Sequence, residues 1–127
     1  MLLTACVLAG LAALVHLYIF VLESLRWEHP DTRRIFGTSA ETATVTRPLA
    51  YNQGFYNLFL ALGTAVGIIL VFTARGAGVA MVSYGTGSML AAALVLITSD
   101  RSKARPAAVQ GLLPLLALLC LAIWGLA

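Results

Sequence analysis

Four apolar runs constrain this chain more than anything else in it: Leu2–Leu25, Leu49–Phe72, Val79–Ile97 and Ala107–Leu126. Each is near or above the ~20 residues that cross ~30 Å of hydrocarbon at 1.5 Å per residue. Backbone polar groups in lipid must be satisfied within their own segment, so such runs are α-helices. The chain has 127 residues, 61% hydrophobic and 10% charged, which leaves no room for a second, soluble domain. The expected fold is an all-α membrane protein, a bundle of four transmembrane helices forming a single domain over 1–127. The helices run over about 2–26, 48–73, 78–98 and 106–126, with a cytoplasmic loop at 27–47. The first run is too long for a signal-peptide core, has no basic residue before it, and ends in Glu23 and Arg26 without a small-residue cleavage site.

Basic residues give the orientation. Arg26, Arg33, Arg34 and Arg47 fall between the first two runs, and Arg101, Lys103 and Arg105 between the last two; only Arg75 lies on the other side. This positive-inside bias places both termini outside and the two basic loops in the cytoplasm, in the inner (plasma) membrane. The net charge of +3 then reflects topology and lipid headgroups, with no nucleic-acid partner expected.

Within the loops, Asp31 or Thr32 is placed to cap a short interfacial helix ending at Gly37, and Thr46-Arg47-Pro48 reads as the start of the second span. Gly63-x-x-x-Gly67 and Ser83-x-x-x-Gly87-x-x-x-Ala91 predict close helix approach, within the bundle or between copies. Pro114 predicts a kink near Gln110 and Gly111. Cys6 and Cys120 are expected to pack as small apolar residues.

Polar residues inside the apolar runs carry the functional argument. Ionisable groups there cost at least ~2.5 kcal/mol at mid-membrane and are usually functional. Glu23 and His16 are seven residues apart, so a straight helix puts them on one face, ~10 Å apart along the axis. Counting inward from Pro48, Asn52 and Gln53 come level with Glu23, while Tyr56 and Asn57 lie a turn deeper, near His16. Gln110 joins the Glu23 layer. The match predicts a polar cavity between the first, second and fourth spans, with the third adding only Tyr84, Thr86 and Ser88 nearer the outside. Glu23, Asn52, Gln53 and Gln110 form its cytoplasmic mouth, and His16, Tyr56 and Asn57 its floor.

Zinc spacing, a phosphate-binding glycine loop and a nucleophile elbow are all absent from the sequence. His16 and His29 lie at different depths, which argues against haem. No metal is expected, and the cofactor is left open. A Glu–His pair suits proton transfer, so Glu23 and His16 are the candidate catalytic residues. Asn52, Gln53, Tyr56, Asn57, Gln110, Trp27 and Arg47 are the candidate ligand-binding residues. The bound molecule is expected to be small and lipophilic or amphipathic, held or isomerised by acid/base chemistry. A proton-coupled transporter and a structural subunit of a membrane complex are the alternatives, and a homo-oligomer, dimer or trimer, is expected in each case.

His16-Leu17-Tyr18-Ile19-Phe20-Val21-Leu22-Glu23, Trp27, Phe36, the run Ala50-Tyr51-Asn52-Gln53-Gly54-Phe55-Tyr56-Asn57-Leu58-Phe59-Leu60-Ala61 and Gln110-Gly111 together resemble a family of small bacterial membrane proteins, domain of unknown function 1304. The resemblance covers nearly the whole chain and implies the four-helix layout, without a known activity. A more distant likeness is to the membrane-associated proteins of eicosanoid and glutathione metabolism, which implies outside termini, a long cytoplasmic first loop and trimers. Arg47 and Asn52 stand in the first two places of their Arg-Asn-Glu helix pattern, but no glutamate follows, which argues against glutathione.

Overall fold

A computed structural model describes residues 1–126. It contains five α-helices and, among those residues, no strand. Helix α1 (Leu2–Phe20) runs into one wide turn at Val21–Leu25; α2 (Pro30–Phe36) is short; α3 (Ala40–Thr73), α4 (Arg75–Ser99) and α5 (Ala104–Leu126) are long. With its wide turn, α1 joins α3, α4 and α5 as four helices long and apolar enough to cross a membrane. The chain is thus an all-α, multi-pass membrane protein. Leu3, Leu14, Phe59, Phe72 and Tyr84 stay exposed on the outer faces, as suits side chains solvated by lipid.

The spans pack in the order α1–α3–α4–α5 and back to α1, with little direct contact between α1 and α4 across the diagonal. The end away from the basic loops is tight. Ala5, Ala9 and Ala12 are fully buried along one seam of α1. Ala5, Cys6 and Ala9 pack with Val71, Val82, Ala117 and Leu121, and both Cys6 and Cys120 are free thiols in or against this cluster. The α3–α4 hairpin closes the same end. Gly78 lies so near α3 that a Cβ there would stand 2.2 Å from the Val71 nitrogen. Small residues do here what burial of large ones does in water: dispersion between touching backbones holds the helices.

The second span begins earlier than the sequence suggests. Pro48 was the expected opening, with 27–47 as loop; instead α3 starts at Ala40 and carries Pro48 inside it. The Ser39 hydroxyl caps the helix by accepting from the Thr42 N–H at 3.1 Å. Thr46, read as a cap, sits mid-helix and donates to the Thr42 carbonyl at 2.7 Å. These local bonds carry the helix up to the proline, whose own N–H is missing. At 34 residues α3 is ~51 Å long, so its polar first turns extend past the hydrocarbon.

The cap of α2 is His29, whose Nδ1 accepts from the Asp31 N–H, rather than Asp31 or Thr32; Pro30 fills the first turn, and Gly37 ends the helix at φ 63°. Between α4 and α5, Asp100 accepts from the Ser102 N–H at 2.9 Å, and its bonds to Ser102 hold the carboxyl below the usual range. Pro114 is buried within a continuous α5.

The hairpin contact sets a test. Gly78→Ala should cost about 3 kcal/mol in reversible denaturant unfolding, because backbone must move to admit the methyl group. Gly76→Ala, where a Cβ meets nothing within 4 Å, should change stability by less than about 0.5 kcal/mol.

Candidate functional site

The basic-loop end of the bundle is the more open of the two; at the hairpin end a smaller groove of about 380 Å³ is lined by Leu2, Cys6, Val71 and Arg75. A cavity of about 540 Å³ lies at the basic end, bounded by all four spans and by α2. Its polar residues are Tyr18 from α1, Glu23 from the wide turn, Gln53 and Asn57 from α3, Gln110 from α5, Ser99 from α4 and Lys103 from the α4–α5 connection.

Glu23 reaches this position because α1 changes pitch. Over Val21–Leu25 the helix widens to the rare i→i+5 turn, then ends at Arg26 (φ −133°, ψ 21°). Single turns of this kind concentrate at functional sites. Nothing local in Val-Leu-Glu-Ser-Leu demands one; a tertiary contact does. The Ser24 hydroxyl donates to the Tyr51 carbonyl of α3 at 2.8 Å, and a Cβ on Gly54 would stand 2.1 Å from that hydroxyl. Glycine at 54 lets the wide turn lie on α3 with the Ser24 hydroxyl in place; a side chain there would displace that hydroxyl and crowd the Ser24 backbone nitrogen, 3.0 Å from the Cβ position. Phe20 and Phe55 lock the approach edge to face, with ring centroids 5.2 Å apart.

Held there, Glu23 accepts through Oε2 from Asn57 Nδ2 at 2.9 Å, and Asn57 also donates to the Gln53 carbonyl at 3.2 Å. Asn57 is only 8% exposed, so its second donor bond fixes the amide that meets the acid. Among the described residues no other side chain donates to Glu23. The side-chain amides of Gln53 and Gln110 line the cavity and hydrogen-bond no other described residue. Lys103 donates to the Phe36 carbonyl at 2.6 Å, tying the C-terminal end of α2 to the cavity rim.

Several expected site residues lie elsewhere. His16 is not the partner of Glu23: it is 1% exposed, continues the alanine seam of α1 and donates through Nδ1 to the Ala12 carbonyl at 3.0 Å. The wide turn between the two residues breaks the straight-helix register on which their pairing depended. The pairing of layers changes as well. Asn57, expected beside His16, bonds Glu23, whereas Asn52 and Tyr56 are exposed on the outer side of α3 and do not line the cavity. Trp27 donates to the Thr46 hydroxyl at 3.1 Å and packs on Phe36 at 5.2 Å. Arg47 is an exposed partner of Glu28 at 3.5 Å. These two residues border a smaller cavity of about 230 Å³ with Arg26 and His29, outside the bundle's interior.

Other lining residues were missed. The third span was expected to contribute only near the outside, yet Ala92, Val95, Leu96 and Ser99 of α4 form a wall. Ile35 and Phe36 close the cavity from α2, and Lys103 reads in sequence only as one more loop charge. Apolar walls carry no distinctive signal in a membrane helix, where every face is apolar.

Fold and site together define a class: a four-span membrane bundle with an acid–amide cluster in a cavity at its basic end. The family described as "Protein of unknown function (DUF1304)" matches residues 10–122, and the chain belongs to that family. No curated protein and no solved structure gives a significant match.

Double-mutant cycles test the assigned pair. Alanine substitutions at Glu23 and Asn57 should couple by about 1 kcal/mol in unfolding free energy, the scale of a hydrogen bond between membrane helices. The cycle between Glu23 and His16 should give a coupling near zero.

Proposed function

We propose that this protein binds a small, partly lipophilic molecule in the cavity at the basic end, with Glu23 as its polar anchor. The observation that carries this reading is the juxtaposition inside one cavity of a carboxylate with a single side-chain donor and two amides without one, Gln53 and Gln110. A cluster serving only to join helices would spend its hydrogen bonds on other helices, whereas Gln53 is exposed and Gln110 half-buried at the cavity, both open to an incoming molecule. Binding sites instead combine mostly apolar walls with a few convergent polar groups in volumes of roughly 300–1,000 Å³.

Seven of the eight Lys and Arg residues flank this end, which supports its facing the cytoplasm in an inner membrane, with both termini outside. Gly63 and Gly87, where a Cβ would meet nothing within 4 Å, leave close-approach faces on α3 and α4, which supports association of copies. Since His16 bonds its own helix, any acid/base step would rest on Glu23, with Asn57 as its positioning residue.

Two substitutions test the site. Purified in native lipid and analysed by native mass spectrometry, the wild-type protein should retain a small-molecule adduct. Ala92→Trp, which fills the apolar wall, should lose the adduct while keeping the wild-type unfolding midpoint. Glu23→Gln, which still accepts from Asn57, should reduce occupancy about tenfold, the scale of one charge-assisted hydrogen bond. An adduct that persists in both variants would refute the cavity as its site.

A further inference from the structure

The cavity is itself amphipathic, and its polarity is graded along the membrane normal. Glu23, Gln53, Ser99, Lys103 and Gln110 gather at the basic end, while Val15 and Ala92 line it farther in. Val15 is eight residues before Glu23, ~12 Å deeper along α1. A ligand lying along this gradient keeps its head at the basic end and its tail toward the bilayer centre.

From this arrangement we infer the ligand class: a single-tailed amphiphile whose head carries a primary ammonium, held by the free oxygen of Glu23. The inference rests on the proposal that the cavity is a binding site. Three features select the head. Glu23 is the only acid lining the cavity, and its Oε1 has no donor among the described residues. A half-buried carboxylate with one oxygen free is best matched by a cation, so a positive head is favoured over a neutral or anionic one.

The second feature is the number of acceptors. The carbonyl oxygens of the Gln53 and Gln110 side chains lie in the same cavity as Glu23. An ammonium offers three donors and matches one carboxylate oxygen plus two amide oxygens, whereas a hydroxyl offers one. The third feature separates primary from quaternary ammonium. A quaternary head has no N–H and depends on aromatic faces around it, but only Tyr18 and Phe36 supply rings to this cavity. Lys103 lines the same cavity but forms no ion pair with Glu23; one of its N–H groups donates to the Phe36 carbonyl at the rim.

Four probes with the same ten-carbon chain test the assignment: decylamine, decanol, decanoate and decyltrimethylammonium. Each is titrated against the full-length protein in lipid nanodiscs and read by native mass spectrometry. Ratios between wild-type and variant protein in the same lipid cancel partitioning into the bilayer. Decylamine should bind the wild type at least about tenfold more tightly than decanol or decyltrimethylammonium, the gain expected of a charge-assisted hydrogen bond, and decanoate should bind least. Glu23→Gln should abolish the preference for decylamine while leaving decanol unchanged, and Ala92→Trp should weaken all four. Equal binding of decylamine and decanol to the wild type, or a preference that survives Glu23→Gln, would overturn the ammonium assignment while the cavity reading stands. Binding of all four probes unaffected by Ala92→Trp would overturn the cavity reading itself.

Discussion

Ser24 lies on Gly54 so closely that no side chain can be interposed, and the rest of the basic end follows from that contact. To reach α3 there, α1 takes up an extra residue in a wide turn and stops being helical at Arg26. The same turn carries Glu23 toward the bundle interior and into reach of Asn57. Ser24 donates to a carbonyl of the neighbouring helix, which compensates in part for the poorer backbone geometry of the turn. A rare backbone conformation, a glycine and a half-buried acid thus form one unit.

The two ends of the bundle divide the labour. Alanines and glycines at the hairpin end let backbones touch, and the fully buried seam of Ala5, Ala9 and Ala12 leaves no space beside it. At the other end α2 and the Asp100–Lys103 connection lie against the spans, and Lys103 bridges them through the Phe36 carbonyl. Rigid packing at one end allows a cavity at the other without loss of the fold, because helices joined firmly along part of their length need not touch along all of it. His16 belongs to the rigid end. Its Nδ1 bonds the Ala12 carbonyl within α1, and the ring continues the alanine seam.

Much of this was legible in the residues. Four spans follow from hydropathy, and the polar end follows from counting Glu23, Gln53 and Gln110 to a common depth, where the structure brings all three to one cavity. The errors share a physical origin. Proline at 48 reads as a helix start because it lacks an N–H, but Ser39 and the threonine hydroxyls carry the helix back to Ala40. Straight-helix spacing tied His16 to Glu23, but the wide turn between them is produced by α3 and leaves no trace in the local sequence. The partner of the acid was therefore read one turn off: Asn52 and Asn57 are equally plausible amides, and only the packing of Ser24 on Gly54 selects between them.

The energetics of Glu23 also limit what the cavity can be for. A half-buried acid at the end of a span gives up part of its hydration, and one amide bond, about 1 kcal/mol between membrane helices, is its one side-chain compensation among the described residues. If stability alone shaped the position, leucine would serve better, since a well-packed apolar residue commonly equals or exceeds a buried charge. The acid is nonetheless placed with care: a rare turn aims it, Asn57 holds one oxygen, and the other faces a cavity with two unengaged amides. Orientation of that kind has no value for holding helices together, where a bond to any partner suffices. On the proposed reading, a molecule arriving from outside the chain finds its acceptors already in place, because groups fixed before binding lose little freedom when it occurs.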